Sequence, residues 1–538
     1  MGVVPLRWNG LFASLIAVSA SAQIGAPPTA GAISDTLKRP SELQAPAPLA
    51  NPVPPRPARP AAEAGGKTVS VQRFEFKGNT VFTAAQLEPL LKDYLGRPLG
   101  LTELYEATDR ITDHYVAAGY ALASALLPAQ KISEGTVQIE IIEGRIDKIA
   151  YEGLKQYRAE DLDFYIGGNA GQVYQGTRFE QALRELDALP GLDARAVLRP
   201  GSAYGTTDVV VRLQEDPFQA LLFVDNHGRD TVGETRFAAQ LTFNSPMRLG
   251  DRFTLLALRS SDNLLQYVSG DYSVPLGWHG ARLNLNYGYA EFELAGPFAG
   301  VEGKNRSGRA AVELPLLRSG SEELTLTGGV SSTQADTDFT GIPLRGTDLT
   351  LLELGASYTR VHAGGGLTQI ATGLGSNFKK SDGSDPDAQR IRLDLDLQHV
   401  VPLPMALQLV GRGLFLYSPD PLPDTQQFSL GGPGTVRGYA PSEVRGDWGY
   451  FGSLTLRRSM MLGPALVTPR LFVDAGTVRS RAPGGTVPEV SLSSVGIGAD
   501  AELDRLRLKL DYAMPTDSVP VSDGKDDGRV YGTVAVEF

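Results

Sequence analysis

The sequence predicts a transmembrane antiparallel β-barrel of about 16 strands, preceded by two small α+β domains. Three observations carry that expectation. Over residues 218–538 the chain is built of segments about ten residues long with a two-residue hydrophobic period, the length at which a tilted strand crosses a bilayer. Ahead of them, Arg7, an apolar run over 11–18 and Ala20-Ser21-Ala22 before Gln23 read as an export signal, residues 1–22. At the far end, Val530, Val534, Val536 and Phe538 share one face of a last strand that closes on an aromatic residue.

Composition narrows the function. There is no cysteine among 538 residues, which excludes disulfide frameworks and thiolate metal sites and suits an exported chain. The formal charge of −11, with no basic tract, argues against a nucleic-acid partner. Five scattered histidines (His114, His227, His279, His362 and His399) give no metal-ligating cluster, so no metal and no cofactor are expected.

Residues 23–68 are Pro- and Ala-rich, with ten prolines from Pro27 to Pro60, and read as an extended linker because they cannot bury a core. Residues 33–39 interrupt it as a candidate short helix before Pro40. A helix filling a barrel about 25 Å tall needs roughly 17 residues, whereas 11 lie between Pro28 and Pro40. Any plug is therefore expected to be short, kinked or absent, and the segment is read chiefly as linker.

The first α+β domain spans 69–144. Residues 69–76 alternate as a strand, and Lys77-Gly78-Asn79 turns the chain. Thr83 opens a helix carrying Leu87, Leu90, Leu91 and Tyr94. A second helix over 102–118 aligns Leu104, Ala107, Ile111 and Tyr115 and stops at Gly119. Strands over 122–127 and 136–142 follow. The second domain, 145–216, repeats the plan: a strand over 146–151, a turn at Gly153, a helix over 178–189 and strands over 194–199 and 207–213. This order suggests a structural duplication.

Residues 217–538 form the barrel region. Leu283, Leu285, Tyr287 and Tyr289 alternate with polar neighbours; so do Leu393, Leu395 and Leu397, and Leu506, Leu508, Leu510 and Tyr512. A soluble sandwich shares this alternation. Segment length, recurrence without helices and the export signal favour the membrane.

One stretch cannot be a plain strand. Residues 431–450, GGPGTVRGYAPSEVRGDWGY, are rich enough in Gly and Pro to fold as a loop, with Val436-Arg437-Gly438-Tyr439 at its centre. An arginine among apolar neighbours requires a carboxylate if water is excluded. The stretch resembles the lumenal loop of the Omp85 superfamily, and of its two-partner secretion transporters (TpsB) in particular. The family's barrel-wall motif, Phe-x-Asp-x-Gly, is matched by Phe472-Val473-Asp474-Ala475-Gly476.

The resemblance extends over nearly the whole mature chain. The two small domains look like periplasmic polypeptide-transport-associated (POTRA) domains: Gly119-Tyr120, Leu127-Pro128 and Glu143-Gly144 match the first, Leu189-Pro190-Gly191, Leu198-Arg199-Pro200-Gly201 and Gly205-Thr206-Thr207-Asp208 the second. Asp225-Asn226, Asn244-Ser245-Pro246 and Gly250-Asp251 resemble the early barrel, and Val534, Val536 and Phe538 the C-terminal targeting strand of bacterial outer-membrane proteins. The resemblance implies an outer-membrane pore that takes an unfolded exoprotein (an adhesin, cytolysin or toxin) from the periplasm, with Arg437 meeting Asp474. Outer-membrane lipid, periplasmic chaperones and the barrel-assembly machinery are implied as further partners.

Other chemistry is set aside. No serine lies in a nucleophile-elbow context, so no enzyme is expected. The acidic stretches 381–387, 336–338 and 522–528 lack calcium-loop spacing and read as solvated turns. An assembly factor for other barrels and a passive porin are the alternatives, with an outer-membrane hydrolase more distant.

Overall fold

A computed structural model describes residues 28–37, 68–277, 280–377, 390–482, 485–486, 489–517, 519, 522–525 and 527–538. The export signal and most of the Pro-rich segment lie outside them.

The first domain stacks helix Leu101–Ala117 on a three-stranded sheet in which Thr136–Ile142 is central, parallel to Arg73–Lys77 and antiparallel to Ser124–Leu126. Helical spacing puts Leu104, Ala107, Ile111 and Tyr115 on the buried face, where they meet Val137, Ile139 and Ile141. The expected single strand over 69–76 is split. The amides of Gln72 and Arg73 both donate to the Gly135 carbonyl, so Val69–Ser70 pairs instead with Pro98–Leu99. The helix opened by Thr83 is α-helical only over Ala84–Leu87. It tightens to a 3-10 form over Glu88–Tyr94, whose first turn contains Pro89, a residue with no amide to donate.

The second domain has the same sheet order, with Thr206–Glu215 between Arg145–Glu152 and Leu192–Pro200. Its long helix is Gly176–Asp187, two residues earlier than expected. A further helix, Ala159–Ile166, fills the place that the sequence reading left open.

The duplication extends to side-chain chemistry. Glu143 ends the central strand of the first domain and accepts the amides of Thr80 (2.6 Å) and Val81 (2.7 Å) and the hydroxyl of Tyr115 (2.9 Å). Glu215 does the same in the second, accepting the amides of Lys155 (2.9 Å) and Gln156 (2.6 Å). Gly78 and Gly153 precede these amides with φ of 84° and 96°, and a Cβ on either would overlap the carbonyl of Ile141 or Leu213. A buried carboxylate is tolerated because it satisfies loop amides that would otherwise have no partner.

The barrel closes with sixteen antiparallel strands from Phe218–Asp225 to Arg529–Glu537. The twelfth is interrupted at Ser459, between Trp448–Arg458 and Met460–Leu462. Alternation places the apolar residues on the outside: Leu393, Leu395, Leu397, Leu508 and Leu510 are exposed there. The strand enters at Phe218 directly from the second domain, so that end faces the same compartment as the domains. Asn244 fixes the joint, its side-chain amide donating to the Asp216 carbonyl (2.9 Å), and Gln156 donates to the carbonyls of Asn244 (3.2 Å) and Ser245.

The barrel closes where the last strand meets the first. Val534 lies opposite Val224 and Val536 opposite Leu222; Phe538 and Ala220 exchange backbone hydrogen bonds of 2.8 and 3.1 Å. Val530, Val534 and Phe538 face outward. Residues 336–338 are not a turn but belong to strand Glu322–Phe339, where Lys304 lies opposite Asp336.

Candidate functional site

The loop over 418–447, between strands Leu407–Tyr417 and Trp448–Arg458, turns back into the barrel. Its two arms pair as Phe428–Leu430 with Val444–Gly446, so the Gly-rich run ends in a short strand and Trp448 already belongs to the wall. Gly431 and Gly432 reverse the chain at φ of 104° and 97°, and the Gly432 amide donates to the Tyr439 carbonyl (3.1 Å). Leu422, Phe428, Leu430, Val436 and Tyr439 then pack on Leu416, Phe451, Val478 and Leu492 of the wall. Several of these are fully buried side chains, each contributing about 1.5–3 kcal/mol.

At the tip, Arg437 meets Asp474. The guanidinium donates to both carboxylate oxygens, at 2.8 and 2.7 Å, and the Arg437 amide adds a third bond at 3.2 Å. Ser453 (2.7 Å) and Ser494 (3.4 Å) also donate to Asp474, which is fully buried. The guanidinium carbon lies 3.3 Å from the Phe472 ring centroid, so the first motif aromatic covers the pair's open face. Two motif glycines make room. A Cβ on Gly476 would sit 2.8 Å from a Leu430 methyl, and one on Gly438 2.8 Å from the Ser494 Cβ. The Tyr439 carbonyl accepts the Tyr531 hydroxyl at 2.7 Å. The structure thus gathers Val436, Arg437, Gly438 and Tyr439 with Phe472, Asp474 and Gly476. Val534, Val536 and Phe538 lie apart from them, on the outer wall.

A second element occupies the lumen. Residues expected chiefly as linker form an eight-residue helix, Ala30–Leu37. It is about 12 Å long at 1.5 Å per residue, in keeping with a short plug. Thr29 opens it, its hydroxyl accepting the Ala32 amide at 3.2 Å. Ile33 is buried among Val232, Leu265, Phe292 and Leu294. These residues lie at the strand ends and loops away from the two domains, so the helix occupies the far mouth of the barrel. Gly31 packs on the folded loop so closely that a Cβ would overlap the Asp424 carbonyl. Asp35 pairs with Arg445 at 3.1 Å.

Sequence reading missed the residues that receive this helix. Arg236 binds Asp225 through two nitrogens (2.7 and 3.0 Å) and donates its third to the Thr36 carbonyl (2.6 Å). Asn305 contacts Ser34; Arg229 instead holds the folded loop, donating to the carbonyls of Pro441 (2.6 Å) and Ser442 (3.0 Å). Asp225 lay within a noted dipeptide, but nothing local marks its partner.

The remaining lumen is lined by opposed charges already paired with one another: Arg309 with Glu353, Arg392 with Asp394, Arg412 with Asp396, and Arg470 with Asp511. Among the described residues no group of three or more His, Asp or Glu side chains could hold a metal. Asp523 and Lys525, from an acidic stretch, are engaged with Arg529 and Glu234. Residues 381–387 lie outside the described residues.

A family model described as haemolysin secretion/activation protein ShlB/FhaC/HecB matches residues 205–501, and a ShlB-type POTRA model matches 69–144. The outer membrane transporter CdiB of Escherichia coli O6:K15:H31 is 26% identical over 444 residues, 78% of this chain and 75% of its own. The hemolysin transporter ShlB of Serratia marcescens is 25% identical over 508 residues, 86% and 87% of the two chains. The solved structure of CdiB from Escherichia coli shares the fold, with a TM-score of 0.72 at 23% identity, covering 89% of this chain and 93% of that one. BamA from Haemophilus ducreyi lacking POTRA domains 1–3 shares it more distantly, with a TM-score of 0.54 at 16% identity, covering 88% and 100%.

Proposed function

From the premise that this chain belongs to the haemolysin secretion/activation family ShlB/FhaC/HecB, we propose how its own residues carry out export. The protein is an outer-membrane transporter with periplasmic POTRA domains, and its barrel is the export pore for a secreted protein. In our reading residues 1–22 are removed on export, 69–144 and 145–216 are the two POTRA domains, and 217–538 is the pore. The domains bind the unfolded exoprotein by offering sheet edges, which supply main-chain hydrogen bonds whatever the sequence. Curated relatives carry hemolysin or heme/hemopexin transport in their names. We assign this chain an exoprotein of adhesin, cytolysin or toxin type.

The observation that carries this reading is the division of the lumen. The loop is bound to the wall through Arg437 and Asp474, while the helix is held mainly by contacts with that loop and with the far rim. A transporting state keeps the first and releases the second. Paired charges along the wall leave few open donors to retain a passing chain. Val534, Val536 and Phe538 serve as the targeting strand for the barrel-assembly machinery, with periplasmic chaperones delivering the chain and outer-membrane lipid surrounding it. No catalytic step is part of this function.

Co-expression with a candidate exoprotein, with and without residues 69–213, tests it. Secretion into the medium that disappears on the deletion, with the barrel still inserted, is the expected result. Steady solute conductance by the intact protein without any exported partner would point to a porin instead.

A further inference from the structure

The outer wall carries a feature that export does not use. Near the far mouth, an outward-facing hollow of about 680 Å³ crosses the first five strands and the last. Ala239 and Ala257 are register partners, so two methyl groups lie side by side where the flanking partners in the same row are Leu222 and Val268. Phe237 and Val534 rise around them, both exposed. The hollow is apolar and faces the membrane, so its occupant is lipid.

Its upper edge is not apolar. Arg259 lies beside Phe237 and Gln266, one residue before strand Arg252–Ser260 ends at the far mouth. Among the described residues no carboxylate pairs with it. The nearest acidic neighbour along the row, Glu291, is already held by Lys304 at 3.3 Å and by the Tyr289 hydroxyl at 3.2 Å. An unpaired guanidinium at headgroup height, directly above a dry hollow, matches an anion covalently joined to an acyl chain. The far mouth faces the outer leaflet, where such an anion is the phosphate of a glycolipid.

We propose that this hollow binds one acyl chain of a phosphorylated outer-leaflet glycolipid, with Arg259 holding its phosphate. Val534 and Leu222 belong to the last and first strands, so the bound lipid lies across the line where the barrel closes.

Native mass spectrometry of the full-length protein, extracted from outer membranes and exchanged into a delipidating detergent, tests this. Purified lipopolysaccharide and phosphatidylglycerol are then titrated back separately. One glycolipid is expected to remain on the wild type. Arg259→Ala should lower its occupancy about fivefold, as expected for one basic side chain at an anionic lipid surface. Ala239→Leu with Ala257→Leu, which fills the hollow while leaving the charge, should lower it at least as much. Heat-modifiable migration shows that each variant is folded. Equal glycolipid retention by the wild type and both variants, preferential retention of phosphatidylglycerol, or no retained lipid at all would overturn the proposal.

Discussion

Two of the arginine–aspartate pairs shielded within the barrel, Arg437–Asp474 and Arg236–Asp225, are wired for opposite purposes. Asp474 takes two guanidinium bonds and the backbone amide of Arg437, all three joining loop to wall, while the wall hydroxyls of Ser453 and Ser494 hold the carboxylate in place. Asp225 and Arg236 instead join two neighbouring wall strands, and a single remaining nitrogen reaches the helix at Thr36. Withdrawing the loop would break the Arg437–Asp474 ion pair, whereas withdrawing the helix leaves the second pair intact and costs that pair only its one hydrogen bond to Thr36, along with the Asp35–Arg445 pair and the Ser34–Asn305 contact. A charge-assisted bond of that kind is worth about 1.5–3 kcal/mol, against about 3–5 kcal/mol for stranding a buried charge. The difference teaches which lumen element is permanent and which is removable.

The strongest way to break the comparison is Asp474→Ala. It leaves Arg437 buried without a counterion and should cost the loop about 3–5 kcal/mol of docking. Secretion is expected to be lost while heat-modifiable migration still reports an inserted barrel, and the loop should become sensitive to trypsin at Arg445. Wild-type secretion by this variant would remove the pair from the working state.

Gly31→Leu attacks the other side. A side chain there has no room beside the Asp424 carbonyl, and such overpacking costs about 1–3 kcal/mol. The helix should leave its seat, raising single-channel conductance in planar bilayers with secretion retained. A channel as quiet as the wild type would show that the helix is not what closes the mouth.

The two elements also differed in how far the sequence disclosed them. The loop was legible because its constraints are local: positive φ at Gly431 and Gly432, and a Phe-x-Asp-x-Gly spacing that sets Phe472, Asp474 and Gly476 on one face of one strand. The helix was half legible. Its short length followed from the prolines, but its start lay at Ala30 rather than residue 33. Thr29 caps it, and Gly31, a poor helix former, is required by contact with a loop almost 400 residues away. The Asp225–Arg236 pair was not legible, because it exists only in the register that sets those two residues opposite each other. In the small domains the apolar spacing of Leu101–Ala117 was enough to place a helix, while Ala159–Ile166 offers only Leu162 and Ile166 as a buried face and passed unnoticed.

The finest test separates charge from fit. Asp35→Asn keeps the shape of the side chain that meets Arg445 but removes its charge, leaving Ile33 and Gly31 seated as before. Asn can still accept a hydrogen bond from Arg445, so the change costs the difference between a charge-assisted and a neutral bond, about 1 kcal/mol, or roughly a fivefold change in the ratio of seated to released helix. Open-channel dwell time in planar bilayers should therefore rise about fivefold, less than for Gly31→Leu, with secretion unchanged. A rise as large as that of Gly31→Leu would mean that the charge, and not the packing against the Asp424 backbone, holds the helix. The removable element would then be governed by the same chemistry as the permanent one, and the contrast between the two pairs would lie only in the number of bonds.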